Sequence, residues 1–239
     1  MSPPHIVVGN KVLGGNVMFN LVLADSELET IPKEIWSHPS ISRYCSRRRK
    51  KPRETILDSS YHYKALRHLE DGYRRGRPDI VHFSLLYALG TPLCKKRMLN
   101  IFVHTRRNLV IEVDPETRLP KHYNRFIGLM EQLFREKRVP PTGKPLLLLR
   151  RASLSDILKE KGDLTILIRE GGKKLNPSKL ISLAENGEKV NLVVGGFPHG
   201  DFISKFDFEM EFSVYEDPLE AWVVIGKVIH SIEEEMGIG

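Results

Sequence analysis

Short apolar runs alternating with segments of helical spacing constrain this chain more than any other feature. Runs of four to six residues at 19–24, 99–104, 109–113, 146–149, 164–168 and 190–194 have the length of strands. Between them, residues 61–69, 78–89, 126–134, 153–161, 177–184 and 218–235 place apolar side chains at helical intervals. Such alternation predicts an α/β layer around a largely parallel sheet. Local signals agree with it. Pro78 opens a helix with Gly90 past its end, and Ser153 with Asp156 three residues on resembles a capping box. Arg106, Arg107 and Asn108 form a turn between two strands expected to pair, and Thr55–Leu57 reads as a further short strand.

The 239 residues, 41% hydrophobic and 28% charged, suffice for a sizeable core and exclude a disordered chain. No apolar run approaches the roughly 20 residues that cross a bilayer. The N-terminal residues lack a basic stretch before an apolar one, so a cytoplasmic protein is expected. Cys45 and Cys94 are not in a metal-ligand spacing and suit idle thiols. The nine histidines form no paired-ligand motif, so no metal is expected. Residues 1–18 read as an extension appended to one unit covering 19–239.

Charge is divided unevenly. Residues 151–239 hold 10 Lys+Arg against 16 Asp+Glu; removed from totals of 37 and 30, that leaves 27 against 14 for residues 1–150. The balances are −6 and +13, so the first part is a polycation. Nucleic acid is the leading partner, because neutralising phosphates releases counterions. A membrane surface is the weaker one, with no amphipathic anchor or lipidation signal present. Within the basic part, Arg118, Lys121 and Arg125 lie three and four residues apart, which predicts one side of a helix with Pro120 in its first turn. On spacing alone this is either a solvated helix face or a phosphate-binding edge. The run Ser46–Lys51 has the same two readings and is expected in an exposed loop.

Two further motifs carry chemistry. Asn191–Val194 runs into Gly195, Gly196, Phe197, Pro198, His199 and Gly200, an apolar strand entering a glycine-rich turn. Glycines there let backbone approach a ligand beyond a strand end, although a tight turn alone would use them too. Neither the dinucleotide fingerprint nor a phosphate-cradling loop ending in Gly-Lys-Ser/Thr occurs. In Arg75-Gly76-Arg77-Pro78-Asp79, Asp79 caps a helix or steadies Arg77 for a phosphate or base. Asp58, at a predicted strand end, is a cap or a proton acceptor.

These segments together resemble one family. Ile56–Tyr63, Arg75–His82, Pro115–Pro120, Arg125–Met130 and Gly195–Gly200 are similar, in order, to the ribosome-biogenesis pseudouridine N1-methyltransferases of the SPOUT class, archaeal branch. The resemblance spans about residues 19–239. It implies a SPOUT-like α/β fold with a C-terminal trefoil knot, an RNA-binding part at about 19–150 and a cofactor-binding knot at about 160–239. It also implies a homodimer, S-adenosyl-L-methionine as methyl donor and small-subunit ribosomal RNA as partner. Arg77, Arg118, Lys121 and Arg125 match RNA-contacting positions, and Asp79 matches the acid that steadies the arginine. The family often carries Arg where Lys121 stands, which keeps charge but loses the bidentate fork. Gly195, Gly200, Asp201 and Phe202 match one wall of the cofactor pocket. Val214, Tyr215, Glu216, Asp217, Pro218 and Leu219 match the other, and Ile168 a backbone contact. On this reading Arg77 stabilises developing negative charge and Asp58 takes the proton. The alternatives are a noncatalytic RNA-binding assembly factor and a SPOUT enzyme acting on another RNA base.

Overall fold

The computed structural model describes residues 6–8, 11–13 and 17–238. Much of the N-terminal extension therefore lies outside the described residues; within it, β1 (Ile6–Val8) and β2 (Lys11–Leu13) pair antiparallel. Eight strands form one sheet: β3 (Phe19–Ser26), β4 (Leu99–Thr105), β5 (Leu109–Val113), β6 (Arg138–Val139), β7 (Leu147–Arg151), β8 (Leu164–Lys174), β9 (Val190–Gly195) and β10 (Met210–Ser213). Their order is β10-β8-β9-β3-β4-β5-β7-β6. The four pairs from β10 to β4 are parallel and the three from β4 to β6 antiparallel, so the sheet is mixed and mostly parallel.

The helices are α1 (Pro39–Arg48), α2 (Ser59–Leu66), α3 (Pro78–Gly90), α4 (Pro92–Lys95), α5 (Tyr123–Glu136), α6 (Leu154–Lys161), α7 (Pro177–Glu185) and α8 (Ala221–Met236). Strand β3 is buried along its whole length, as a central strand covered on both faces must be. Leu21 and Leu23 enter the larger core, with Ile80 and Leu85 of α3, Phe126 of α5, Leu180 of α7 and Ile225 of α8. Their neighbours Val22 and Ala24 face the smaller core under α6, with Ile157 and Leu158. A satellite core of Ile31, Ile41, Leu57 and Ala65 supports α1 and α2. Cys45 and Cys94 are free and buried.

Polar side chains fix the strand register. Asn100 Nδ2 donates to Asn20 Oδ1 at 2.9 Å, and Asn20 Nδ2 donates to Asn191 Oδ1 at 3.0 Å. Asn191 Nδ2 then donates to Leu158 O at 2.9 Å and Asn20 Nδ2 to Lys161 O at 2.7 Å, carbonyls in the last turn of α6. Asn100 and Asn191 are the residues registered with Asn20 on either side. Farther along, β10 changes register: Glu211 faces Leu167, but Phe212 faces Lys173. Strand β8 makes an excursion between these positions. Gly172 permits it, since a Cβ there would lie 2.7 Å from the Phe212 backbone carbon.

Several boundaries differ from expectation. Only the second half of the basic run is a loop, because α1 extends through Ser46–Arg48 and buries Ile41 and Cys45 against the satellite core, while Arg49–Lys51 follow its end. Arg48 and Lys50 both bond Glu131, whose side chain is 2% exposed. Ile56 contributes only an isolated bridge to Thr30.

Candidate active site

Three acidic residues two apart, Asp25, Glu27 and Glu29, leave the end of β3 and organise the site. All are buried. Glu27 pairs with Arg74 at 2.8 Å and Arg106 at 3.2 Å; Glu29 pairs with Arg75 and Arg107, each at 2.7 Å. Burial pushes the Glu27 carboxyl upward, opposed by the guanidiniums of Arg106 and Arg74. Asp25 has left-handed backbone (φ 49°) and accepts from the Ile203 and Ser204 N–H groups at 2.7 and 2.9 Å. The three carboxylates therefore tie together the segment 71–77, the β4–β5 turn and the chain following Gly200.

Two backbone bonds complete the link. Glu27 N–H donates to Gly196 O at 3.1 Å, and Arg77 N–H donates to Glu27 O at 3.0 Å. Gly196 lies so close that a Cβ would stand 2.8 Å from Ser26 Cα. Arg74 donates to Asp201 O at 2.9 Å, and its guanidinium carbon lies 4.3 Å from the Phe197 ring centre.

Beyond the carboxyl ends of β8, β9 and β10 these loops enclose a cleft of about 300 Å³. Ile168, Gly195, Gly200, Asp201 and Phe202 line it, as do Val214, Tyr215, Asp217, Pro218 and Leu219. Of the expected cofactor residues, Glu216 alone is absent from the wall; it lies in the exposed turn between Tyr215 and Asp217. The wall also contains Phe197 and His199 of the glycine-rich turn, and Arg169, Glu170 and Ser213, which sequence reading missed. Its charged side chains are one cation, Arg169, and three carboxylates, Glu170, Asp201 and Asp217. A cationic ligand suits that balance.

The basic surface needs a correction. Helix α5 begins at Tyr123, so Arg125 is on it while Arg118 and Lys121 precede it. Proline disfavours helical backbone at Leu119, and the Pro120 carbonyl is taken by His82 Nε2 at 2.8 Å. Thr117 Oγ1 donates to Leu146 O at 2.9 Å, anchoring the loop's other end. Arg118, Lys121 and Arg125 are nonetheless all exposed. Arg77 donates to both oxygens of Asp79 at 2.9 and 2.7 Å, the fork expected of that pair, and these bonds hold its guanidinium above its ordinary pKa.

Asp58 takes the capping one of its two readings. Its Oδ1 accepts from Ser60 N–H at 2.9 Å, capping α2, and its Oδ2 accepts from the Tyr123 hydroxyl at 2.7 Å. Burial and that carboxylate hold Tyr123 protonated well beyond the ordinary phenol range. With both oxygens engaged and no place in the cleft wall, Asp58 anchors α2 to α5 and is not positioned as a free base.

His62, behind Asp58, accepts the Asp58 N–H on Nδ1 at 2.9 Å, so its neutral form carries the proton on Nε2. Burial lowers its pKa from 6.5 to about 4, and burial lowers His82 and His104 as well. A folded pKa below the unfolded one means that the unfolded chain binds more protons. Stability should therefore fall as pH drops from about 6.5 toward 4, by about 3 kcal/mol for His62. Glu27 acts in the opposite sense through the carboxylate range. Melting temperatures at pH 7.5 and 5 test this; equal values would mean that the imidazole is charged in the fold.

A cleft past parallel strand ends, joined through Glu27 to a cationic surface, defines an α/β protein of the class that seats a small molecule beyond its strand ends. The chain belongs to the EMG1/NEP1 methyltransferase family, whose model matches residues 21–233. It is 50% identical over 218 residues to the Ribosomal RNA small subunit methyltransferase Nep1 of Pyrococcus furiosus, covering 91% of this chain and 97% of that one. It is 45% identical over 219 residues to the protein of that name from Staphylothermus marinus, covering 90% of this chain and 94% of that one. Among solved structures, Archaeoglobus fulgidus Nep1 bound to S-adenosylhomocysteine matches with a TM-score of 0.78 and 36% identity, covering 91% of this chain and 97% of that chain. Among the described residues no helix is long and apolar enough to cross a membrane.

Proposed function

We propose that this protein is an S-adenosyl-L-methionine-dependent methyltransferase acting on N1 of a pseudouridine in small-subunit ribosomal RNA. One observation carries the reading: two backbone hydrogen bonds, through Glu27, join the Arg77 segment to the glycine loop. The base-holding side and the methyl-donating side are thereby one rigid unit. The names of the relatives and the ligand of the Archaeoglobus structure supply the substrate and cofactor classes.

When bound, S-adenosyl-L-methionine supplies an electrophilic methyl group on a cationic sulfonium. Ile168, Gly195, Gly200, Phe202 and Leu219 would hold it, with the carboxylates of Asp201 and Asp217 matching its charge. Arg118, Lys121 and Arg125 grip phosphates, and an unstacked RNA loop lets the target base enter. Arg77, fixed by Asp79, faces the base and favours the N1 anion, so the proton can leave to water while the new N–C bond forms and the S–C bond breaks. Positioning and electrostatics then do most of the catalysis.

A C-terminal trefoil knot belongs to the same reading; the close approach of Gly172 to the Phe212 backbone, where β8 shifts register against β10, supports a tightly packed crossing there. A homodimer is supported by apolar exposure on α3 and α8: Phe83 is 48% exposed, Tyr87 43% and Val223 36%. Sedimentation at micromolar concentration reads it, and a monomer would refute that contact.

The decisive assay uses labelled S-adenosyl-L-methionine with two matched RNA hairpins, one bearing pseudouridine and one uridine at the same position. Label should enter only the first. Label in the uridine hairpin, or in neither, would overturn the assignment.

A further inference from the structure

Beside the cationic edge lies a second cavity, of about 310 Å³, sharing no wall residue with the cleft. Tyr44, Arg47 and Arg48 of α1, Tyr61 of α2 and Asn124 of α5 line it. Tyr44 is a fixed floor: Arg48 Nη1 donates to its hydroxyl at 3.2 Å, and the His62 ring meets it edge-on at 4.5 Å. The Tyr61 ring lies 5.2 Å from that of Tyr44 and is 46% exposed. The two arginines are not equivalent. Arg48 is committed to Glu131, with bonds of 2.9 and 3.2 Å. Arg47 is exposed and, among the described residues, forms no ion pair; its guanidinium lies 5.8 Å from the Tyr44 ring centre.

Asn124 is exposed and immediately precedes Arg125, so the cavity continues the cationic edge. Asp58 forms part of the wall, but its oxygens are taken by the Ser60 N–H and the Tyr123 hydroxyl. An exposed aromatic face, an exposed guanidinium and a side-chain amide are three groups that can hold an unpaired nucleotide: stacking for the base, charge for the phosphate and paired donor and acceptor for the base edge.

We propose that this cavity binds one unpaired RNA nucleotide flanking the methylated one, its base on Tyr61, its phosphate on Arg47 and its base edge on Asn124. This rests on the RNA-binding function proposed above, and the test separates the two.

Binding of the pseudouridine hairpin would be measured for the unaltered protein and for Arg125→Ala, Tyr61→Ala and Arg47→Ala. Tyr61→Ala should raise Kd about tenfold. Arg47→Ala should weaken binding and lower the slope of log K against log salt by about 0.7. A hairpin made abasic at the flanking position should bind the unaltered protein more weakly but Tyr61→Ala no more weakly, a coupling that a merely structural tyrosine would not produce. Retained stabilisation by S-adenosylhomocysteine reports an intact fold. Should Tyr61→Ala misfold, Tyr61→Phe should keep RNA affinity and Tyr61→Leu lose it. If Arg125→Ala weakens binding while Tyr61→Ala and Arg47→Ala bind like the unaltered protein, the cavity is not a nucleotide site and the RNA surface stands. If the unaltered protein does not bind the hairpin, the RNA reading itself fails.

Discussion

Replacing Glu27 with alanine is expected to destabilise the fold by about 3–5 kcal/mol, the usual cost of removing one partner from a buried ion pair. The side chain is 0% exposed, and its removal leaves Arg74, 5% exposed, without a counter-charge and Arg106, 11% exposed, with Asp71 alone. For a chain of this size that corresponds to a fall in melting temperature on the order of 10 °C. Glu27→Gln keeps the shape and some hydrogen bonding, so it should lose less. Denaturant unfolding measures both; a change below about 1 kcal/mol for the alanine variant would mean that solvent reaches these guanidiniums freely. Because Arg74 also donates to the Asp201 carbonyl in the cleft wall, releasing it from Glu27 should lower S-adenosylhomocysteine affinity before the chain unfolds.

The second large effect belongs to Gly196→Ala. The new Cβ would meet Ser26 Oγ at 2.2 Å and Ser26 Cα at 2.8 Å, and the backbone carbon cannot swing aside as a side-chain tip could. Gly196 is held on both sides as well, its N–H donating to Ala24 O at 2.7 Å and its carbonyl accepting from Glu27. The loop must therefore shift by a sizeable fraction of an ångström, and methyl transfer should drop on the order of 100-fold. The rise in melting temperature caused by S-adenosylhomocysteine should largely disappear while hairpin affinity stays. Undiminished ligand stabilisation would show that this loop is not the cofactor wall.

The sequence disclosed the parts governed by local rules. Strand runs at β3, β8 and β9 and the capping box of α6 follow from apolar periodicity and short-range hydrogen bonding, and both stand in the structure. Ten of the eleven residues that the motif resemblance assigned to the cofactor line the cleft, about half of its wall. What stayed hidden depends on residues far apart in the chain. Arg74 and Glu27 are 47 positions apart, and nothing local marks them as partners. A charge-complementarity signal was nevertheless present: acids two apart at 27 and 29 match adjacent arginine pairs at 74–75 and 106–107. The helical reading of Arg118 and Lys121 failed because periodicity cannot register a tertiary bond to the Pro120 carbonyl. Asp58 looked like a base because its two occupants, Ser60 N–H and Tyr123, become visible only after folding.

The asparagine row across β4, β3 and β9 has a consequence for how this fold avoids error. Valine- and leucine-rich parallel strands can slide by two residues and bury nearly the same faces, so apolar packing alone tolerates several alignments. Amides do not: a slide by two strands the carboxamides of Asn20, Asn100 and Asn191 in a dry interior and strips the last carbonyls of α6 of their donors. The row works as a vernier, selecting one alignment from several that grease alone would accept. The cleft at the far ends of β8 and β9 inherits its ångström-scale shape from that choice, made at Asn191, upstream of Gly195 on the same strand.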